Sequence, residues 1–241
     1  MSNLNILLRN SPNFNKKIRL KKDVKCIVIH YTGMQSEVAA INRLSNPRSK
    51  VSCHYLISQK GQIIKMVDEK HEAWHAGKSK WKKVKSLNKY SIGIEISNPG
   101  HDKNYKNFSN KQLLSLKKIL HFLIKKYKIK LENILGHSDI APTRKKDPGE
   151  KFPWKDLSKK KLCLWHTIRL DKLIKFRNQK ISGIKRRLFF RNLSKIGYDT
   201  ANLNKNSKYI IKAFQRRFRP ELINSNLDEE VYLISKNLIS K

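Results

Sequence analysis

Residues 24–33, VKCIVIHYTG, decide how the rest of this 241-residue chain reads. Val24 to Ile29 is a short apolar, β-branched run bounded by charge, the pattern of a buried strand. It delivers His30 at its C-terminal end, just before Tyr31-Thr32-Gly33. Working outward, Val51 to Val67 reads as two strands around a Lys60-Gly61 turn. Tyr90 to Ser97, YSIGIEIS, alternates: Ile92, Ile94 and Ile96 face one way, Gly93, Glu95 and Ser97 the other. Ser109 and Gln112 form a capping box, and the helix it opens repeats Leu113, Leu116, Leu120 and Leu123 at helical spacing. Ile134-Leu135 is a further short strand leading to Gly136-His137. Strands and helices alternate, so the expected fold class is α/β, a mixed central β-sheet flanked by helices.

Beyond Trp154 the texture changes. Lys155 to Lys161 is charged and weakly patterned, as in a linker. Two amphipathic segments follow, roughly Ile184–Ile196 and Ser207–Phe218, the second with Ile211, Phe214 and Phe218 on one stripe. Asn224-Ser225-Asn226 reads as a turn and Leu227 to Ile239 as a third helix. The expectation is a small all-α C-terminal domain with its own core. The chain then divides into a main domain over 1–160, a linker over 161–180 and a helical domain over 181–241.

Composition narrows the function classes less than it first suggests. With 39% hydrophobic residues, wholesale disorder is excluded. The 54 Lys and Arg against 18 Asp and Glu give a net charge of +36. Such a field favours polyanions: nucleic acid, acidic lipid or an anionic cell-wall polymer. The charge is spread along the whole length, and Lys, Asn and Ile are the residues an AT-rich genome over-supplies. A dedicated nucleic-acid surface is therefore not the expected reading. Cys26, Cys53 and Cys163 are an odd number without C-x-x-C spacing, as expected of buried thiols in a reducing compartment. The N-terminus lacks the three-part pattern of a signal peptide, and no run approaches the ~18 apolar residues of a membrane span. The expected setting is soluble and cytoplasmic.

The residues with chemical potential lie at strand ends and in the loop 136–149. His30, His137 and Asp147 are candidate metal ligands, since two imidazoles and one carboxylate suit zinc and leave a fourth position for water. Taken singly, each has an ordinary alternative: a hydrogen-bonded core histidine, or an Asp that forms a turn before Pro-Gly. Glu95, on an alternating strand, is a buried carboxylate in need of a partner, either a metal-bound water or a lysine. Lys145, two residues before Asp147, is either a stabiliser of developing negative charge or a solvated lysine.

In order, IVIHYTG (27–33), SCHYLI (52–57), AWHAGKSKW (73–81), SIGIEISNPG (91–100) and GHSDIAPTRKKDPG (136–149) resemble the zinc-dependent N-acetylmuramoyl-L-alanine amidases of the peptidoglycan-recognition-protein fold. The nearest branch acts on anhydro-muropeptides, and the likeness runs from about Ser11 to Trp154. It implies one zinc ion on His30, His137 and Asp147, a general base at Glu95 and an oxyanion-stabilising Lys145. It further implies substrate contacts at Trp74 and His75, a structural role for His54, and peptidoglycan fragments or the sacculus as partner of a monomer. The segment IIKAFQRRFRPELI (210–223) looks like the three-helix peptidoglycan-binding domain that accompanies some of these amidases. A non-catalytic recognition module and a basic nucleic-acid-binding protein are the competing functions.

Overall fold

The computed structural model describes residues 4–240. Its strands are β1 (Ile6–Leu8), β2 (Phe14–Asn15), β3 (Cys26–Tyr31), β4 (Tyr55–Ile57), β5 (Ile63–Lys65), β6 (Glu72–Ala73), β7 (Lys80–Trp81), β8 (Val84–Lys85), β9 (Ser91–Ile96) and β10 (Ile134–Gly136). Six of them form one sheet in the order β1-β5-β4-β9-β3-β10. Only the β4–β5 pair, the hairpin expected around Gly61, is antiparallel. Gly61 sits at φ +82°, where a side chain would also meet the backbone of Lys111. The sheet is thus mixed, as the sequence predicted.

The period-two pattern of β3 and β9 gives this sheet two different faces. Ile27, Ile29, Ile92, Ile94 and Ile96 point to the first, where Leu116, Ile119, Leu120 and Leu123 of α2 (Asn110–Tyr127) close over them. The predicted capping box starts this helix: the Ser109 hydroxyl accepts the Gln112 backbone N–H at 3.2 Å, and the Gln112 side-chain Oε1 accepts the Ser109 backbone N–H at 3.0 Å. The cap is worth about 1 kcal/mol, whereas each buried Leu or Ile contributes roughly 1.5–3 kcal/mol. Packing, not the cap, holds α2 in place.

The second face is covered in two separate patches. Leu56, Ile64 and Met66 pack with Leu44 of α1 (Glu37–Ser45). Cys26, Val28 and Leu135 pack with helices from the C-terminal third: α6 (Gly183–Ile196), α7 (Leu203–Phe218) and α8 (Glu229–Ile239). Between the patches the strands offer His30, Ser91, Gly93 and Glu95; His75 packs over Ser91 and Gly93, and His30 and Glu95 line a cleft.

The C-terminal helices were legible to within a few residues, but their core was not. Phe189, Leu193, Phe214 and Val231 belong to the same apolar cluster as Val28 and Leu135, so the helical third shares a core with the sheet. The stretch expected as a charged linker begins as α4 (Trp154–Lys159), following α3 (His137–Ile140), because Trp154 and Leu157 are buried. Leu162 and Cys163 are buried as well, and α5 (Leu170–Ile174) inserts Leu173. At the 224–226 turn it is Ser225 that takes the left-handed conformation, while the Asn224 side chain accepts hydrogen bonds from Gln215, Arg219 and the Asn226 amide. All three cysteines are buried and unpaired, as expected.

Candidate active site

His30 and Glu95 are direct partners in the β3–β9 register and therefore project from the same face. His137 enters from the first residue of α3, directly after β10. Asp147 arrives from the following loop, where the Ser138 N–H donates to the Asp147 carbonyl at 2.9 Å. The Asp147–Pro148 bond is cis. Gly149, at φ +86°, leaves room for the Tyr105 ring, whose hydroxyl donates to the Pro148 carbonyl at 2.7 Å. These anchors bring three residues, far apart in sequence, to one point. His30 Nδ1 stands 2.9 Å from His137 Nδ1 and 2.9 Å from Asp147 Oδ2, and the third side of the triangle is 3.1 Å. All three residues are buried and together could hold a metal ion.

The hydrogen-bond partners behind the triangle determine what it presents. The Ser91 hydroxyl donates to the Leu87 carbonyl at 2.6 Å, so towards His75 Nε2, 3.2 Å away, it can only accept. His75 Nε2 therefore carries the proton and its Nδ1 a lone pair, which accepts from His30 Nε2 at 3.0 Å. That leaves His30 Nδ1 bare. His137 Nε2 faces the Ala76 carbonyl at 3.1 Å and donates to it, which leaves His137 Nδ1 bare too. Arg144 NH2 lies 3.4 Å from the same Nε2, at the limit of bonding, and is committed to the Ala76 and Lys78 carbonyls at 2.7 and 2.8 Å. Burial, and then the neighbouring His137, push His30 down to about 4, so it is neutral. For Asp147 burial acts upward, but the two imidazoles outweigh it and hold the carboxyl below its ordinary range. Two lone pairs and a carboxylate oxygen thus face one another within about 3 Å. Three acceptors at this spacing repel one another unless a proton or a metal ion lies among them, and the carbonyl behind His137 is the usual second partner of a metal-bound imidazole.

Glu95 is partly open to the cleft, yet its Oε2 is buried and has no hydrogen-bond partner among the described residues. Burial, then repulsion from Asp147, raise its carboxyl well above the ordinary range, with Lys145 opposing. The lysine partner that was one expected explanation of Glu95 is not in ion-pairing contact with it. Lys145 lines the same cleft, of about 490 Å³, as do Trp74 and His75. Of these two, Trp74 is on the wall, while His75 sits behind His30, edge-on to it. His54 is fully buried: its Nδ1 accepts the Gly93 N–H at 3.0 Å and its Nε2 faces the Arg19 guanidinium at 2.8 Å.

Three contributors escaped the sequence reading. Gly93 is required because a Cβ there would collide with the His75 ring, and an isolated Gly within a strand is the signal that marks such a close approach. Arg144 ties the 136–147 loop to Ala76 and Lys78, but no pattern distinguishes it from its basic neighbours. Arg19 is buried behind the site and donates to the carbonyls of Glu69, Asn88, Lys89 and Ser91, an anchor that only the tertiary structure reveals.

Three residues that could hold a cation, lining one cleft with a carboxyl that lacks a hydrogen-bond partner among the described residues, are the equipment of a metal-assisted hydrolase. The model of the N-acetylmuramoyl-L-alanine amidase family matches residues 20–150, and the chain belongs to that family. It is 32% identical over 234 residues to the N-acetylmuramoyl-L-alanine amidase AmiD of Escherichia coli K12, a match covering 90% of this chain and 83% of that protein. The 1,6-anhydro-N-acetylmuramyl-L-alanine amidase AmpD of Haemophilus influenzae is 32% identical over 162 residues, covering 60% of this chain and 85% of the relative. Among solved structures, the complex of Escherichia coli AmiD with anhydro-N-acetylmuramic acid-L-Ala-D-γ-Glu-L-Lys matches with a TM-score of 0.80 and 31% identity over 94% of this chain and 91% of that one. The mixed sheet with flanking helices is the fold of that relative.

Proposed function

We propose that the protein hydrolyses the amide between the lactyl group of N-acetylmuramic acid and L-alanine, with anhydro-muropeptides as substrate. The observation that carries this reading is the convergence of two bare imidazole nitrogens and the Asp147 carboxylate beside an unpaired Glu95. His30 Nδ1, His137 Nδ1 and Asp147 Oδ2 would hold one zinc ion, for which a donor set of two nitrogens and one oxygen is suited. Bound there, zinc supplies Lewis acidity to the scissile carbonyl and acidifies a water molecule. Glu95 takes the proton of the attacking water and delivers it to the departing alanine nitrogen. A carboxyl raised by its surroundings is the stronger base towards the attacking water. The Lys145 ammonium faces the negative charge that develops on the carbonyl oxygen. His75 and Gly93 fix the ring of His30, and Trp74 offers a flat apolar wall to sugar or peptide.

In the same reading residues 1–160 perform the chemistry, 161–180 connect, and 181–241 form an accessory unit of the peptidoglycan-binding type. The test is digestion of purified anhydro-muropeptide followed by mass spectrometry. Release of a stem peptide with a free L-alanine amino group is the expected product. An intact substrate from folded, zinc-loaded protein would refute hydrolysis and favour a recognition module.

A further inference from the structure

The contact between the C-terminal helices and the loop of His137 combines apolar packing of Ile140 and Ala141 with a buried polar cluster centred on Asp139. Asp139, 1% exposed, lies two residues after His137 in the one-turn helix α3. Its carboxylate accepts three hydrogen bonds: from the Gly136 N–H at 2.8 Å, the Tyr198 hydroxyl at 2.6 Å and Arg217 NH1 at 2.5 Å. The same Arg217 donates through NH2 to the Ile134 carbonyl at 2.9 Å, and its guanidinium lies 4.2 Å over the Trp154 ring. One guanidinium from α7 therefore grips the first residue of β10 and, through Asp139, the residue immediately before His137.

A four-residue helix has too few internal hydrogen bonds to hold its own geometry. The orientation of α3, and with it the direction of the His137 ring, must be imposed from outside. Gly136 and Asp139 bracket His137, and both are fixed by this cluster. We infer that Arg217 and Tyr198 are positioning residues for the metal site: by clamping Asp139, the C-terminal helices set His137 for metal binding. The inference rests on the metal reading proposed above. Its rival is that the cluster merely joins two parts of the chain.

Arg219 separates the two. It is also 1% exposed and pairs with Asp228 at 2.6 Å and Glu230 at 3.1 Å, all within the helical third. Losing it destabilises the helices without touching α3. The experiment measures zinc affinity of the full-length chain by competition with a chromophoric chelator, at a temperature well below the melting point of each variant. The variants are Arg217→Met, Tyr198→Phe and Arg219→Met. Arg217→Met is expected to bind zinc about tenfold or more weakly, the usual consequence of losing support behind a metal ligand. Tyr198→Phe keeps the ring and the ion pair, so it provides the test even if Arg217→Met fails to fold; a loss of a few-fold is expected. Arg219→Met should melt lower yet keep the parent's affinity. Parent affinity in both Arg217→Met and Tyr198→Phe, or an equal loss in Arg219→Met, would overturn the inference. A parent that takes up no zinc would refute the metal reading itself, and this inference with it.

Discussion

The two faces of β3 and β9 are built from alternating residues of the same strands, and they obey different rules. On one face Ile27, Ile29, Ile92, Ile94 and Ile96 meet the leucines of α2 and exclude water. On the other, His30 and Glu95 occupy equivalent positions and line a cleft between two apolar patches. The first face is where folding free energy comes from, through burial of side chains worth roughly 1.5–3 kcal/mol each. The second retains the bare His30 nitrogen and a Glu95 carboxyl whose buried oxygen has no hydrogen-bond partner among the described residues, both of which oppose folding. A strand can serve both ends because its side chains alternate, so neighbouring residues should respond to mutation in opposite ways.

The largest effect is expected at His137. His137→Ala removes one corner of the triangle, and zinc retention and hydrolysis should both fall to the level of the chelator-treated parent, as read by metal analysis and product release. Glu95→Gln should keep zinc while turnover falls by roughly 10²–10⁴-fold, the usual share of a general base. Undiminished turnover in that variant would remove Glu95 from the mechanism. Lys145→Met should retain zinc and lower kcat by about 10²–10³-fold, as for one donor to a developing oxyanion, with KM moving less.

Ile94 and Glu95, adjacent on β9, give the sharpest contrast. Ile94→Ala should cost about 2–5 kcal/mol in chemical denaturation and leave the turnover of the folded fraction nearly intact. Glu95→Gln should do the reverse. Because burial and Asp147 raise the Glu95 carboxyl, the unfolded chain releases this proton at lower pH than the folded one. Its ionisation therefore opposes folding, and parent stability falls as pH rises above the ordinary glutamate range. Metal-free Glu95→Gln should melt above the parent at neutral pH, with the gap closing as pH is lowered towards about 4. A variant that melts lower at every pH would mean that Glu95 stabilises the fold.

The apolar face was readable from the sequence because a period-two strand and a capped helix with leucines at helical spacing follow from local chemistry. His30 and Glu95 were visible for the same reason: polar residues stand out on strands that are otherwise apolar. His30, Glu95, His137, Lys145 and Asp147 all border one cleft, but spacing alone could not bring His137 and Asp147 together across a proline-rich loop. The ordered motifs of the amidase family supplied that step. The supports behind the site were hidden for a different reason. Arg19, Arg144 and Arg217 are three arginines in a chain with 54 Lys and Arg; burial sets Arg19 and Arg217 apart, and the exposed Arg144 differs from its solvated neighbours only by its bonds to the Ala76 and Lys78 carbonyls. The shared core of the helical third was missed because an amphipathic stripe shows that a helix is covered, not by what. Phe214 packs in the same cluster as Val28 of β3, some 190 positions earlier in the sequence.

The most direct test of the account is to titrate zinc into the chelator-stripped protein and follow cleavage of anhydro-muropeptide at each addition. The account predicts that activity rises linearly from zero and stops rising at one zinc per chain, with His137→Ala inactive throughout. Full cleavage by protein verified to be free of metal would contradict it, and the bare nitrogens of His30 and His137 would then need another explanation.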